Sequence, residues 1–203
     1  MPRKSTANTR PMPTFDLLLD NGKRIKGELY PGLAPESAGN FIELANAGYY
    51  DGAQVHHVFP HLLIEIDRTD CKLPYCIRGE CELNNYVTGK SGDVTYGSLM
   101  MSRSVHYNSG SSGFFIVLSS NPDELKLMQG AYALFGQALE GVQYAHALSM
   151  AASDAQGVPD KPVSIKELRV ETHGYEYPFE KLSPPQSFFN DTYEEGNNPD
   201  QMN

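Results

Sequence analysis

The sequence has no apolar run approaching the ~18 residues that a membrane-crossing helix needs, so no membrane partner is expected. Its first fifteen residues, MPRKSTANTRPMPTF, lack the apolar stretch of a secretory leader. They are basic and rich in Ser and Thr, which leaves organelle import open, although the prolines disfavour an amphipathic helix there. Cations are scarce. Lys and Arg total 16 against 25 Asp and Glu, a formal net charge of −9 that argues against nucleic acid as a partner. Cysteine occurs three times, at Cys71, Cys76 and Cys81. An odd number without a leader points to a reducing, cytoplasmic compartment. The even C-x4-C-x4-C spacing, with His56, His57 and His61 nearby, invites comparison with a zinc site. Structural zinc favours tighter C-x2-C pairs and a fourth ligand at a recognisable spacing. The reading is therefore three free thiols in a loop, with no metal and no other cofactor. No internal repeat is visible.

At 203 residues and 40% apolar, the chain is long enough for one sizeable core. Charge divides it unevenly. Residues 1–13 form a basic tail, and residues 175–203 an acidic tail rich in Pro and Asn, with Glu176, Glu180, Asp191, Glu194, Glu195 and Asp200 against Lys181. The body is residues 14–174. The acidic tail also carries Phe188, Phe189 and Tyr193, which a purely solvating tail has no need of.

Within the body, TFDLLLD (14–20) and KRIKGELY (23–30) flank Asn21-Gly22, a hairpin signal. PGLAPESAGNFIELANAG (31–48) reads as a helix: Pro35 and Glu36 suit its first turn, Ala38, Phe41, Leu44 and Ala45 share a face, and Gly48 stops it. YYDGAQVHHVF and HLLIEI read as strands joined at Pro60, and residues 67–94 as loop. TYGSLMMS (95–102) and GFFIVLS (113–119) are strands around a Ser/Gly/Asn loop. AYALFGQAL (131–139) is a strand, GVQYAHALSMAA (141–152) a helix, and VSIKELRVET (163–172) a closing strand. Many strands with two helices predict an antiparallel barrel capped at its ends.

The order of these segments resembles the cyclophilin-type peptidyl-prolyl cis-trans isomerases, particularly the single-domain bacterial form. ELYPGLAPESAGNFIELANAGYYDG (28–52) looks like the family's first helix with its G-[FY]-Y-D-G exit. VHHVFPHLLIEI (55–66) stands where the family has F-H-R-V-I-P-G-F-M-I-Q-G. MSRSVHYNSGSSGFFIV (101–117) is similar to M-A-R-S-x-x-P-N-S-A-G-S-Q-F-F-I, QGAYALFGQALEGVQ (129–143) to D-G-x-Y-A-x-F-G-x-V-x-E-G, and VETHGYEYP (170–178) to the bacterial C-terminal stretch. The resemblance implies a mainly β fold: a closed eight-stranded antiparallel barrel capped by two helices.

It also implies a site, and departures from it. Strand alternation puts Val55, His57 and Phe59 on one face and His56 and Val58 on the other. The family's working arginine falls at His57, and its groove glutamine on the next strand at Glu65. A second groove glutamine falls at Gly113. The family's structural histidine falls at His56. The proline pocket maps to Leu62, Leu63, Ser102, Arg103, Phe115, Leu127, Met128 and Tyr132. The family's Q-G-G-D becomes Glu65-Ile66-Asp67-Arg68, which is expected to put bulk where glycines allow close approach.

An X-Pro amide resists rotation by roughly 18–20 kcal/mol because resonance flattens it. A permanently charged donor beside the prolyl nitrogen lowers that barrier, and arginine suits the task. A histidine paired with a glutamate does so poorly. The expectation is a proline-peptide-binding domain with a degenerate active site, weak or silent as an isomerase, and held through its C-terminal tail among other subunits of a larger machine such as a ciliary radial spoke. The alternative is a weak isomerase assisting protein folding.

Overall fold

The computed structural model describes residues 10–86 and 92–184. In chain order the elements are β1 (Thr14–Leu19), β2 (Arg24–Leu29), α1 (Pro35–Asn46), β3 (Gln54–Phe59), β4 (Leu63–Asp67), β5 (Ser98–Met101), β6 (Phe114–Val117), α2 (Pro122–Met128), β7 (Leu134–Glu140), α3 (Val142–Ser149) and β8 (Ile165–Glu171). The strands form one sheet in the order β3-β4-β6-β5-β7-β2-β1-β8, and the paired strands run antiparallel. The sheet curls until its ends meet. Gly52 N–H donates to Ile165 O, Val55 N–H to Val163 O and Ile165 N–H to Ala53 O. This seam is short, lying at the start of both β3 and β8. No helix among the described residues is long and apolar enough to cross a membrane.

Local chemistry sets the first pieces. Gly22 takes φ 81° in the β1–β2 turn, where Lys23 N–H donates to Asn21 Oδ1 at 3.0 Å. Phe15, Leu17, Leu19, Ile25 and Leu29 then alternate inward. Between the last two, Gly27 is obligatory: a Cβ there would lie 1.9 Å from the carbonyl oxygen of Gln137 on β7. Helix α1 lays Ala38, Phe41 and Ala45 against the barrel. The Phe41 ring sits 5.1 to 6.3 Å from those of Phe15, Tyr50, Phe114 and Phe135, at edge-on or tilted angles that favour aromatic pairs.

Two expectations need correction. Helix α2 makes three α-helices among the described residues rather than two. Its sequence signals are plain: the Asn121 side chain accepts from Asp123 N–H, Pro122 opens the first turn, and Asp123 and Glu124 face the positive end of the dipole. Second, α1 buries more than one stripe, with Gly39, Asn40 and Ile42 covered as well. The covering segment is the start of the supposed tail. Tyr177 and Phe179 cross α1 so closely that a Cβ at Gly39 would lie 2.7 Å from Tyr177 O. Glu180 N–H donates to Glu36 at 2.6 Å, Lys181 Nζ pairs with Glu43 at 2.6 Å, and Leu182 exchanges backbone bonds with Cys76. The tail boundary read at 175 therefore falls inside a packed segment, and Phe188, Phe189 and Tyr193 lie outside the described residues. The helix cap comes from a distance. Ala34 offers α1 no side-chain cap. Glu80 supplies it, accepting from Glu36 N–H, Ser37 N–H and Ser37 Oγ–H at 2.8, 2.8 and 2.7 Å.

Candidate active site

The site grows from the register of four strands. His57 on β3 faces Glu65 on β4, Glu65 faces Phe115 on β6, and Phe115 faces Met100 on β5. A second row runs Phe59, Leu63, Val117. These rows lie on the outer face of the barrel wall. On the same strands Ile64, Ile66, Phe114 and Ile116 point inward and are fully buried. Met100, Phe115 and Val117 join Val94 and Met128 in a small apolar cluster, separate from the barrel core.

Over this floor opens a groove of about 450 Å³, lined by Phe59, Leu62, Leu63, Glu65, Ser102, Arg103, Phe115, Glu124, Leu127, Met128 and Tyr132. The volume lies within the range of small-ligand sites. Nine of the eleven positions named from the sequence are in this lining, Leu62, Leu63, Glu65, Ser102, Arg103, Phe115, Leu127, Met128 and Tyr132. The two outside it are His57, paired with Glu65 at the rim, and Gly113. Phe59 and Glu124 line the groove without having been assigned to the pocket. Glu124 was reachable through the Asn-Pro-Asp-Glu helix start.

The rings form a clamp. Tyr132 stands edge-on to Phe115, 5.0 Å between centroids at 89°. Arg103 braces the clamp: its Nε and Nη2 donate to Ala131 O at 3.0 and 2.8 Å, its Nη1 donates to Ser104 O, and the guanidinium lies 4.7 Å from the Tyr132 ring centroid. With those donors spent, Arg103 positions Tyr132.

The histidines depart from strand alternation. The β3–β4 register shifts between Val55 and His57, and Val55 and Val58 both turn into the core. This bulge brings His56 to the same side as His57. The expected sharing of one face by Val55 and His57 is thus wrong. The two imidazoles lie 4.3 Å apart. His57 Nδ1 sits 3.2 Å from Glu65 Oε2, and His56 Nε2 sits 3.9 Å from the same oxygen. Burial pushes the His56 pKa down, against the opposing pull of the Glu65 charge. Because a carboxylate only accepts, Nδ1 of His57 carries the proton. In the neutral ring Nε2 is then an acceptor and offers no hydrogen to a prolyl nitrogen.

Around Gly113 the expected obstruction is half right. Ile66 is fully buried in the core and leaves the groove untouched. Asp67 stands close by: a Cβ at Gly113 would meet Ser102 Cβ at 3.3 Å and Asp67 Cγ at 3.4 Å. Asp67 accepts from Ser112 Oγ–H at 2.7 Å. Arg68 turns away, with its Nη1 on the carbonyls of Tyr49 and Asp51 and its Nε on Asp70.

Comparisons with known proteins agree with this architecture. Residues 14–170 match the model of the cyclophilin type peptidyl-prolyl cis-trans isomerase family. The chain is 33% identical to peptidyl-prolyl cis-trans isomerase B of Bacillus subtilis, over 79% of this chain and 99% of that protein. It is 26% identical to peptidyl-prolyl cis-trans isomerase A of Dickeya dadantii, over 77% and 84%. The crystal structure of a cyclophilin type isomerase from Cryptosporidium parvum shares the fold, with a TM-score of 0.65 at 22% identity, covering 79% of this chain and 98% of that one. The same protein crystallised in the presence of the dipeptide Ala-Pro gives a TM-score of 0.64 at 23% identity, over 78% and 98%. By its family match, by its relatives and by its fold, the chain belongs to the cyclophilin-type peptidyl-prolyl cis-trans isomerases.

Proposed function

We propose that this chain binds proline-containing segments in the Phe115–Tyr132 groove and isomerises them weakly or not at all, serving as a proline-peptide-binding subunit of a larger protein assembly. The observation that carries the reading is the His57–Glu65 pair at 3.2 Å. Where a rotating amide needs a permanent donor, the groove presents an imidazole whose proton is directed at a carboxylate. Gly113 adds no side-chain donor. The apolar clamp, by contrast, has the parts a prolyl ring needs: Phe115, Met128, Leu62, Leu63 and Tyr132. Attachment to other subunits is assigned to the acidic segment beyond residue 184, whose Phe188, Phe189 and Tyr193 suit interface anchoring. The free thiols Cys71, Cys76 and Cys81 fit a reducing, cytoplasmic setting.

The test sets two measurements on the full chain side by side. Binding of an Ala-Pro peptide is followed by NMR shifts in the groove, and isomerisation of the same peptide by exchange spectroscopy. Shifts at Phe115 and Tyr132, with a rate at least ~100-fold below an ordinary cyclophilin, are expected from losing transition-state donors. An ordinary rate would overturn the reading in favour of a working folding enzyme. The double variant His57→Arg/Gly113→Gln should raise the rate once Ser102 and Asp67, which a Cβ at 113 would meet at 3.3 and 3.4 Å, give way.

A further inference from the structure

We infer that His56, His57 and Glu65 form a binding site for a divalent late transition-metal ion at the edge of the groove. Adjacent residues of a regular strand point to opposite faces and cannot share an ion. The β3 bulge removes that bar by setting both imidazoles on the outer side with the Glu65 carboxylate. The three ligand atoms lie within 4.8 Å of one another, two of the separations being 3.2 and 3.9 Å. Around one ion, with metal–nitrogen and metal–oxygen bonds of about 2.0–2.2 Å, donors sit roughly 3–3.5 Å apart. Side-chain rotation of about an ångström closes the difference, and all three side chains are only partly buried, so they are free to make it.

The donor set selects the ion. Two imidazole nitrogens and one carboxylate oxygen suit zinc, nickel, cobalt or copper. Calcium and magnesium prefer all-oxygen sites. Three protein ligands leave at least one coordination position for water or a carbonyl oxygen. Binding through His57 Nδ1 selects the tautomer protonated at Nε2, so the proton that Nδ1 directs at Glu65 is exchanged through solvent to Nε2 and none is released. The ligand set spans β3 and β4, so a bound ion staples the hairpin and places fixed positive charge beside the Glu65–Phe115 row. The site does not depend on whether the groove catalyses, and its test contains no isomerase assay.

The experiment is titration of the tag-free full chain with Co(II), read by visible absorption, and with Zn(II) by calorimetry. One equivalent is expected to bind, with ligand-field bands showing imidazole coordination. Glu65→Gln, which keeps the shape of the side chain, and His57→Ala should each weaken binding at least ~10-fold. Thermal melts of the metal-free variants separate lost ligands from lost fold. His146→Ala and Cys71→Ser are the controls, because His146 pairs with His61 at 2.9 Å and Cys71 is an exposed thiol. Undiminished binding in Glu65→Gln and His57→Ala, or loss confined to a control, overturns the assignment, as does the absence of stoichiometric binding to the wild type.

Discussion

Replacing Glu80 tests how α1 is held against the barrel. Glu80 is 5% exposed and accepts from three donors at the first turn of a helix that has no cap of its own. Glu80→Ala strands two backbone N–H groups and one hydroxyl. A buried donor left unpaired costs about 1–3 kcal/mol. The Ser37 hydroxyl rotates and water reaches Glu36 N–H, while removing a buried carboxylate recovers part of its desolvation cost. The net loss comes to about 2–3 kcal/mol, which for a domain of this size lowers Tm by about 4–12 °C. Glu80→Gln keeps both Ser37 bonds and strands only Glu36 N–H, a loss of about 1–2 kcal/mol. The pH dependence has a definite sign. Burial raises the Glu80 pKa above its ordinary 4.5, and the hydrogen bonds that lower it do not win. Between 4.5 and that raised value the folded chain binds more protons than the unfolded chain, so this group's contribution falls as pH rises through the window. Glu80→Gln lacks that dependence. The Tm gap between wild type and Glu80→Gln, from melts followed by far-UV circular dichroism, should be widest near pH 4.5 and narrow towards pH 7. A gap that widens instead would show the three donors and the helix dipole outweighing burial, and the reasoning would fail.

Three further outcomes are expected. Phe41→Ala, at the centre of the aromatic core, should cost about 3–5 kcal/mol in chemical denaturation; a loss under ~1 kcal/mol would refute its place there. Leu127 is 78% exposed beside the groove, so Leu127→Ser should leave the melt within about 0.5 kcal/mol while weakening Ala-Pro peptide binding; unchanged affinity would remove Leu127 from the site. Deleting residues 175–203 should lower Tm, because Tyr177, Phe179 and Leu182 pack on the body, whereas deleting 185–203 should leave Tm in place and abolish co-purification with the proposed partner subunits; the reverse pattern would make the segment beyond 184 an internal strap.

What was legible in the sequence followed short-range rules. The Asn21-Gly22 turn, the apolar face of α1 and the strand runs each announce themselves within a dozen residues, and the pocket residues came through the family motif. What was missed depended on contacts between distant segments or on a departure from strict alternation. Glu80 caps a helix 44 positions away; no local pattern in a polar loop marks it. Ile66 looked like an obstruction because it replaces a glycine, yet strand register turns it into the core. The bulge did leave a trace. Val55 and Val58 are three apart, an odd interval that a strand of period two cannot bury on one face without an extra residue. Helix α2 was hidden by its length of seven residues, too short for apolar periodicity to show.

The placement of these parts separates the residues that hold the fold from those at the rim of the groove. Strands β4 and β6 serve two clusters at once, with Ile64, Ile66, Phe114 and Ile116 inward and Leu63, Glu65, Phe115 and Val117 outward. Folding energy comes chiefly from the inward set and from the outward apolar cluster of Met100, Phe115, Val117 and Met128. The residues at positions 57, 65 and 113 contribute to neither. The His57–Glu65 pair is about a quarter to a third exposed, at 32% and 26%, and such a pair adds at most ~1 kcal/mol. On the proposed reading, changes at these positions cost the fold little and the transition state a great deal. On the same reading, peptide binding depends on the apolar cluster and catalysis on the rim, so the two can be lost separately. A chain that keeps the first and loses the second, as proposed, needs only a few substitutions, on β3, on β4 and at the residue before β6.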